Sequence, residues 1–306
     1  MRQVHLPKVT SLEDYSPYFN QHELWIPAMQ AICEQVKLTF NELVRIPEGS
    51  AIVFANQDYI LKLLPPFWGP ELDLDCLGLA RAQGKLSVRT PELIATGELE
   101  DWRYLITRKI PGQSIQYLWP QLDVKSRQDI LFQLGHLMAE LHRLNAEQIP
   151  VIWDDYVHRH LNQFIAQQVN SGLTTQQAEI FAQELHRLLA KYTDQPRNLF
   201  LHCDLTDQHL FVEQIKGKCQ LTGLLDFGDL MAGPAYYEFA APCILLTPHS
   251  PALRQILVNA YGAAIQAEHI LLAILIHRYT NLSWMFKQEQ LEISLDALYD
   301  CYCKLN

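Results

Sequence analysis

The polar side chains able to carry chemistry are concentrated in two short segments, His202-Cys203-Asp204-Leu205-Thr206-Asp207-Gln208-His209 and Asp226-Phe227-Gly228-Asp229. Each follows a strand-like apolar run, Leu199-Phe200-Leu201 before the first and Leu224-Leu225 before the second. A carboxylate at a strand end is fixed in direction, whereas one on a solvated helix face is not. Phosphoryl transfer needs a carboxylate to orient the acceptor hydroxyl, oxygen ligands for a divalent metal on the phosphates, and a cation against the phosphate oxygens. Mg2+ takes carboxylate, amide and water oxygens. Asp204 and Asp226 can supply the first two parts, and Lys62, in Tyr59-Ile60-Leu61-Lys62, the third. Singly, these residues have plainer uses. An aspartate at a strand end caps the amides of a turn, a strand lysine faces solvent, and His202 is an ordinary core histidine. Together, at this spacing, they favour chemistry over structure.

The elements that must position them read in two textures. Helical spacing of Trp25, Met29, Ile32 and Val36 predicts one or two helices over residues 12–43. Ala51-Ile52-Val53-Phe54 and Tyr59 to Leu64 predict two strands joined by an Asn56-Gln57-Asp58 turn. A helix is expected over residues 70–83, then strands over 92–99 and 102–108. Pro111-Gly112 punctuates the chain, and helices dominate beyond it, over 123–145, 154–170, 175–192 and from 253 onward. Strand-like runs at 199–202, 210–212 and 221–227 interrupt this helical half. A strand-rich part followed by a helical part would make a cleft at its boundary, and clefts between domains are favoured ligand sites.

The spacing His-x-Asp, a ligand five residues after that Asp, and an Asp-Phe-Gly some twenty residues on resembles the signature of the aminoglycoside phosphotransferase and choline kinase-like family, over residues 45–241. The resemblance implies an α+β, protein kinase-like fold, with a small β-rich N-terminal lobe over residues 1–111 and a large, mainly helical C-terminal lobe over 112–306. It makes Asp204 the catalytic base, braced by His202, and Asp226 a Mg2+ ligand with His209 as the second metal ligand. Lys62 would contact the nucleotide phosphates. Its carboxylate partner falls on Asp75, with Glu71 one helical turn earlier as the alternative. Gly49 and Ser50 take the place of the phosphate-covering turn, and the backbone from Arg108 to Ile110 that of the adenine-binding hinge. The chain departs from the pattern at His209, where the family has Asn; imidazole suits Mn2+ better than Mg2+. It also has Asp75 for Glu, and Ala232-Gly233-Pro234 where an aspartate is usual. The function implied is transfer of the γ-phosphate of ATP or GTP to a hydroxyl of a small molecule. The alternative is a nucleotide-binding or interaction module with weak or no transfer.

Composition bounds the partners. The formal net charge is −10 over 306 residues, which excludes a basic nucleic-acid footprint and favours neutral or cationic substrates. Asp207, Asp229 and Glu238 hint at an amine-bearing acceptor, and Asp154-Asp155 read as a helix start rather than a cation site. Seven cysteines without a CxxC pair read as reduced thiols, and Cys301-x-Cys303 lacks the partners of a structural zinc knuckle. His158-x-His160 cannot share a helix face. No signal-like or membrane-spanning apolar run is present, so a cytoplasmic location is expected.

Overall fold

The computed structural model describes residues 4–39 and 43–306. The chain divides into two units. The first comprises Met1–Gly84, Arg89–Pro111 and the sequence-distant segment Asp226–Asp229; the second comprises Lys85–Val88, Gly112–Leu225 and Leu230–Asn306.

In the first unit, two helices, α1 (Leu12–Phe19) and α2 (His22–Val36), precede the strands β1 (Val44–Ile46), β2 (Ile52–Ala55) and β3 (Tyr59–Leu64). Helix α3 (Gly69–Ala82) follows, then β4 (Leu93–Leu99) and β5 (Trp102–Arg108). The strands form one antiparallel sheet in the order β1-β2-β3-β5-β4. Asn56 makes the β2–β3 turn as expected, its side-chain oxygen accepting from the Asp58 and Tyr59 amides at 2.9 and 2.8 Å. Pro70 lies in the first turn of α3, where its fixed φ and missing N–H cost nothing. The two leading helices pack an aromatic core with the sheet and with the 3-10 turn before α3: the rings of Trp25 and Trp102 are centred 5.1 Å apart, and those of Tyr15 and Trp68 5.5 Å.

The second unit holds the hairpin of β8 (Leu210–Ile215) and β9 (Lys218–Leu224), with β6 (Gln113–Ser114) paired to β8. A second small pair joins β7 (Leu199–Leu201) to β10 (Met231–Gly233). The helices are α4 (Val124–Leu141), α5 (Trp153–Asn170), α6 (Thr175–Lys191), α7 (Ala240–Leu245), α8 (Pro251–Tyr261), α9 (Ala267–Ile276), α10 (Leu282–Gln288) and α11 (Leu295–Tyr302). Helices α4 and α8 approach so closely at Gly135 that a Cβ there would lie 2.6 Å from the Leu257 carbonyl oxygen. None of the helices among the described residues is long and apolar enough to cross a membrane.

Several expectations are corrected. The helical region expected over 12–43 stops at Val36, and Val44 begins a strand; the part at 40–42 lies outside the described residues. The strand expected over 221–227 runs instead from Lys218 to Leu224, because Asp226 adopts a left-handed φ of 63° that no strand accommodates. β6, β10 and α7 were not anticipated. Asp154 and Asp155, read as capping a helix start, lie inside the first turn of α5, whose N-cap is Ile152 with no side-chain cap bond.

Candidate active site

In the first unit, β3 presents Lys62 to two carboxylates. Its Nζ lies 3.1 Å from Asp75 Oδ2, on α3, and 2.9 Å from Asp226 Oδ2. Asp75 is buried, and its other oxygen accepts from the Phe227 amide at 3.0 Å. Asp75 therefore holds both the lysine and the loop that carries Asp226. Asp226 turns its Oδ1 to the Gly228 amide at 3.3 Å. Burial works to lower the Lys62 pKa, but the adjacent Asp226 and Asp75 carboxylates outweigh it and hold the ammonium above its ordinary value. Burial raises Asp75, opposed by Lys62. Asp75, the first of the two lysine partners considered from sequence, is bonded to it.

Gly49 and Ser50 fall in the connection between β1 and β2. Gly49 has φ 83°, and the Ser50 carbonyl accepts from the buried Tyr15 hydroxyl at 2.8 Å, so α1 anchors this turn. Arg108 ends β5, its side chain paired with Glu92 at 2.9 Å, and Ile110 is buried. In the sheet register Ile52 pairs with Leu63 and Arg108 with Tyr59. The glycine turn and the 108–110 segment thus lie toward opposite ends of β3.

In the second unit, the 202–204 loop is built on Glu238, in a short 3-10 helix (Ala235–Phe239). The Glu238 carboxylate accepts from the backbone amides of His202 and Cys203, both at 2.8 Å. Cys203 adopts φ 68°, a left-handed turn that a bulkier or branched residue would resist. His202 Nδ1 accepts from the Asp204 amide at 3.2 Å, and Nε2 donates to the Leu225 carbonyl at 2.9 Å. These bonds define a neutral imidazole with the proton on Nε2, in keeping with a pKa lowered by burial. His277 Nε2 donates to the Cys203 carbonyl at 3.1 Å. Burial pushes its pKa down to about 4, against the opposing pull of Asp204.

Asp204 is thereby presented on a loop fixed at His202 and Cys203. His209 Nδ1 lies 3.0 Å from the Asp204 carbonyl oxygen and 3.2 Å from its Oδ2. Burial works to raise the Asp204 pKa, but His209, by hydrogen bond and charge, more than offsets it and keeps the carboxyl below its ordinary value. Because Nδ1 donates to a carbonyl oxygen, a metal at His209 would have to be taken through Nε2. An open depression of about 480 Å3 lies against Asp204 and His209, with Asp207, Leu245, Trp284 and Glu289 among its lining residues.

Two corrections concern acids and histidines. Glu238 was expected to face an amine-bearing acceptor; it is 2% exposed, inside the loop scaffold, with His142 Nε2 3.5 Å away. His142 and His277 carried no sequence signal, because their partners lie far off in sequence.

A family model described as the phosphotransferase enzyme family matches residues 48–271. A search of curated proteins finds no match. Among solved structures, the chain is similar to a GDP complex of an aminoglycoside 2'-phosphotransferase-IIIa variant, with TM-score 0.70 and 17% identity over 87% of this chain and 92% of that one. It is similar to a ternary complex of APH(2")-IIa with streptomycin and ATP, with TM-score 0.60 and 16% identity over 90% and 98%. It is also similar to the aminoglycoside phosphotransferase APH(3'')-Id from Streptomyces rimosus, with TM-score 0.62 and 14% identity over 84% and 96%. These likenesses establish the kinase-like α+β fold.

Proposed function

The chain belongs to the phosphotransferase enzyme family, and we propose that it transfers the γ-phosphate of ATP or GTP to a hydroxyl of a small molecule. The observation that carries this reading is the Lys62 ammonium held between Asp75 and Asp226. That cluster is a cation for phosphate oxygens beside a carboxylate fit for a hard divalent metal. Complexes of similar structures with GDP and with ATP and streptomycin support a nucleotide and a hydroxylated small molecule as substrates.

Asp75 keeps Lys62 aimed, and Lys62 neutralises phosphate charge. Asp226 offers carboxylate oxygen to Mg2+, which when bound would draw electron density from the phosphates; His209 Nε2 is a softer donor that suits Mn2+. Asp204, held ionised, accepts the proton of the acceptor hydroxyl. The acceptor oxygen bonds to the γ-phosphorus, the bond from phosphorus to the bridging oxygen breaks, and the nucleoside diphosphate leaves with that electron pair. Gly49 and Ser50 cover the phosphates, and the backbone from Arg108 to Ile110 takes the adenine or guanine edge. The depression beside Asp204 receives the acceptor, its carboxylates at Asp207 and Glu289 suiting an amine and Leu245 and Trp284 an apolar face.

A thermal-shift titration with ATP and GTP, each with Mg2+ or Mn2+, tests the nucleotide part. Saturation at about 100 times Kd stabilises the protein by about 2.7 kcal/mol, and Asp226→Ala should abolish that gain. Asp204→Asn should keep the shift while turnover falls about 10²- to 10⁴-fold. Unchanged turnover in Asp204→Asn removes the base assignment. Normal nucleotide binding without transfer to any acceptor in a screen replaces the reading by that of a binding module.

A further inference from the structure

At the edge of the depression beside Asp204, the second unit brings together three donor atoms of different kinds from three places in the chain. They belong to His249, in the turn between α7 and α8, Glu289, which follows α10, and Cys301, in α11. All three lie within 4.8 Å of one another. His249 Nε2 is 2.9 Å from Glu289 Oε2 and 3.4 Å from Cys301 Sγ. On one tetrahedral zinc ion, with bonds near 2.0–2.3 Å, neighbouring ligand atoms stand roughly 3.3–3.6 Å apart. Small side-chain shifts would therefore admit an ion.

We propose that His249, Glu289 and Cys301 form a site for a zinc-class transition metal, with a fourth position left to water or another donor. The backbone beneath them is built for it. The buried Arg254 donates to the Thr247 carbonyl at 2.7 Å and the Cys301 carbonyl at 3.2 Å, tying the loop before His249 to α11. The His249 amide adds a bond to the Cys301 carbonyl at 2.9 Å. His249 itself takes φ 52°, a left-handed conformation uncommon outside glycine, which turns its ring onto the other two ligands. The donor set of thiolate, imidazole and carboxylate selects zinc-like ions over Mg2+. Binding releases the Cys301 thiol proton to solvent, while the neutral His249 ring binds through Nε2 and keeps its proton on Nδ1, with no change of oxidation state. Glu289 also lines the depression beside Asp204, so an ion here withdraws a negative charge from that wall. The site does not rest on the nucleotide reading.

The test is a titration of the chelator-treated, full-length protein with Co2+, followed by competition with Zn2+ against a chromophoric chelator, without nucleotide. One equivalent should bind with a thiolate-to-cobalt charge-transfer band, and Zn2+ should bleach it. Cys301→Ser should abolish the band, and His249→Gln should weaken binding at least about tenfold. The His249 side chain is half-exposed, so that variant keeps the core, and its circular dichroism and melting confirm the fold. A control, Cys76→Ser, should bind like the parent. Absence of the band in the parent, its persistence in Cys301→Ser, or affinity unchanged in His249→Gln overturns the proposal.

Discussion

Glu238 shows how one buried carboxylate fixes the loop that carries Asp204. Both its oxygens are spent on the amides of His202 and Cys203, the residues just before Asp204. Glu238→Gln keeps the shape but sets an NH2 group against one of those N–H donors. A buried amide left facing a donor loses a charge-assisted hydrogen bond and its desolvation compensation, which costs about 2–3 kcal/mol. Denaturant unfolding should register that loss. With the loop freed, kcat should fall while the metal-dependent nucleotide shift persists, since Lys62, Asp75 and Asp226 are untouched. A nucleotide shift lost along with kcat would mean that the loop supports more than Asp204. From the sequence alone, Glu238 was one acid among several, because a carboxylate's partners, here two backbone amides 35 and 36 residues away, leave no trace in local spacing. Asp204, Asp226 and Lys62 could be singled out from the sequence because each follows its own strand-forming run.

At the level of elements, legibility followed length and punctuation. Helix α3 was readable from Pro70 and its apolar spacing, and the β2–β3 hairpin from Asn56, whose side chain closes the turn. The end of β9 was not, because Leu225 and Phe227 continue the apolar pattern while the backbone departs from it at Asp226. What anchors that departure is the contact of α3 with Phe227. A Cβ on Gly78 would lie 2.3 Å from the Phe227 Cβ, at the root of a side chain that cannot swing aside. Gly78→Ala should therefore push α3 and the 226–229 loop apart, at the cost of about 1–3 kcal/mol typical of overpacking. Asp75 bonds both Lys62 and the Phe227 amide, so the same shift should loosen the ion cluster. The expected result is a lowered melting temperature with a disproportionate loss of the nucleotide-dependent gain. A variant that melts lower but keeps its full nucleotide shift would show that the cluster tolerates movement of the helix.

Across the whole molecule, two effects compete as the pH falls. The formal net charge is −10 at pH 7, so mild acidification relieves self-repulsion and favours the folded state. The buried histidines act in the other direction. Burial lowers the pKa values of His160, His202, His269 and His277, the last to about 4 from an ordinary 6.5. Below pH 6.5 the unfolded chain takes up protons that the folded one refuses, so stability from these groups is complete above that pH and declines as the pH drops. For His277 the full difference is about 3 kcal/mol, reached near pH 4. Asp204 and Glu238, held below their ordinary values, begin to withdraw their own contributions as the pH falls into the usual carboxylate range. Urea midpoints measured from pH 7 to 4.5 separate the two effects, because relief of repulsion predicts a rise and histidine uptake a fall. The histidine effect should win, with the decline setting in near pH 6.5. His277→Gln, whose amide can still donate to the Cys203 carbonyl, should flatten the curve while preserving the loop. An undiminished slope in that variant would assign the acid sensitivity to the other buried histidines.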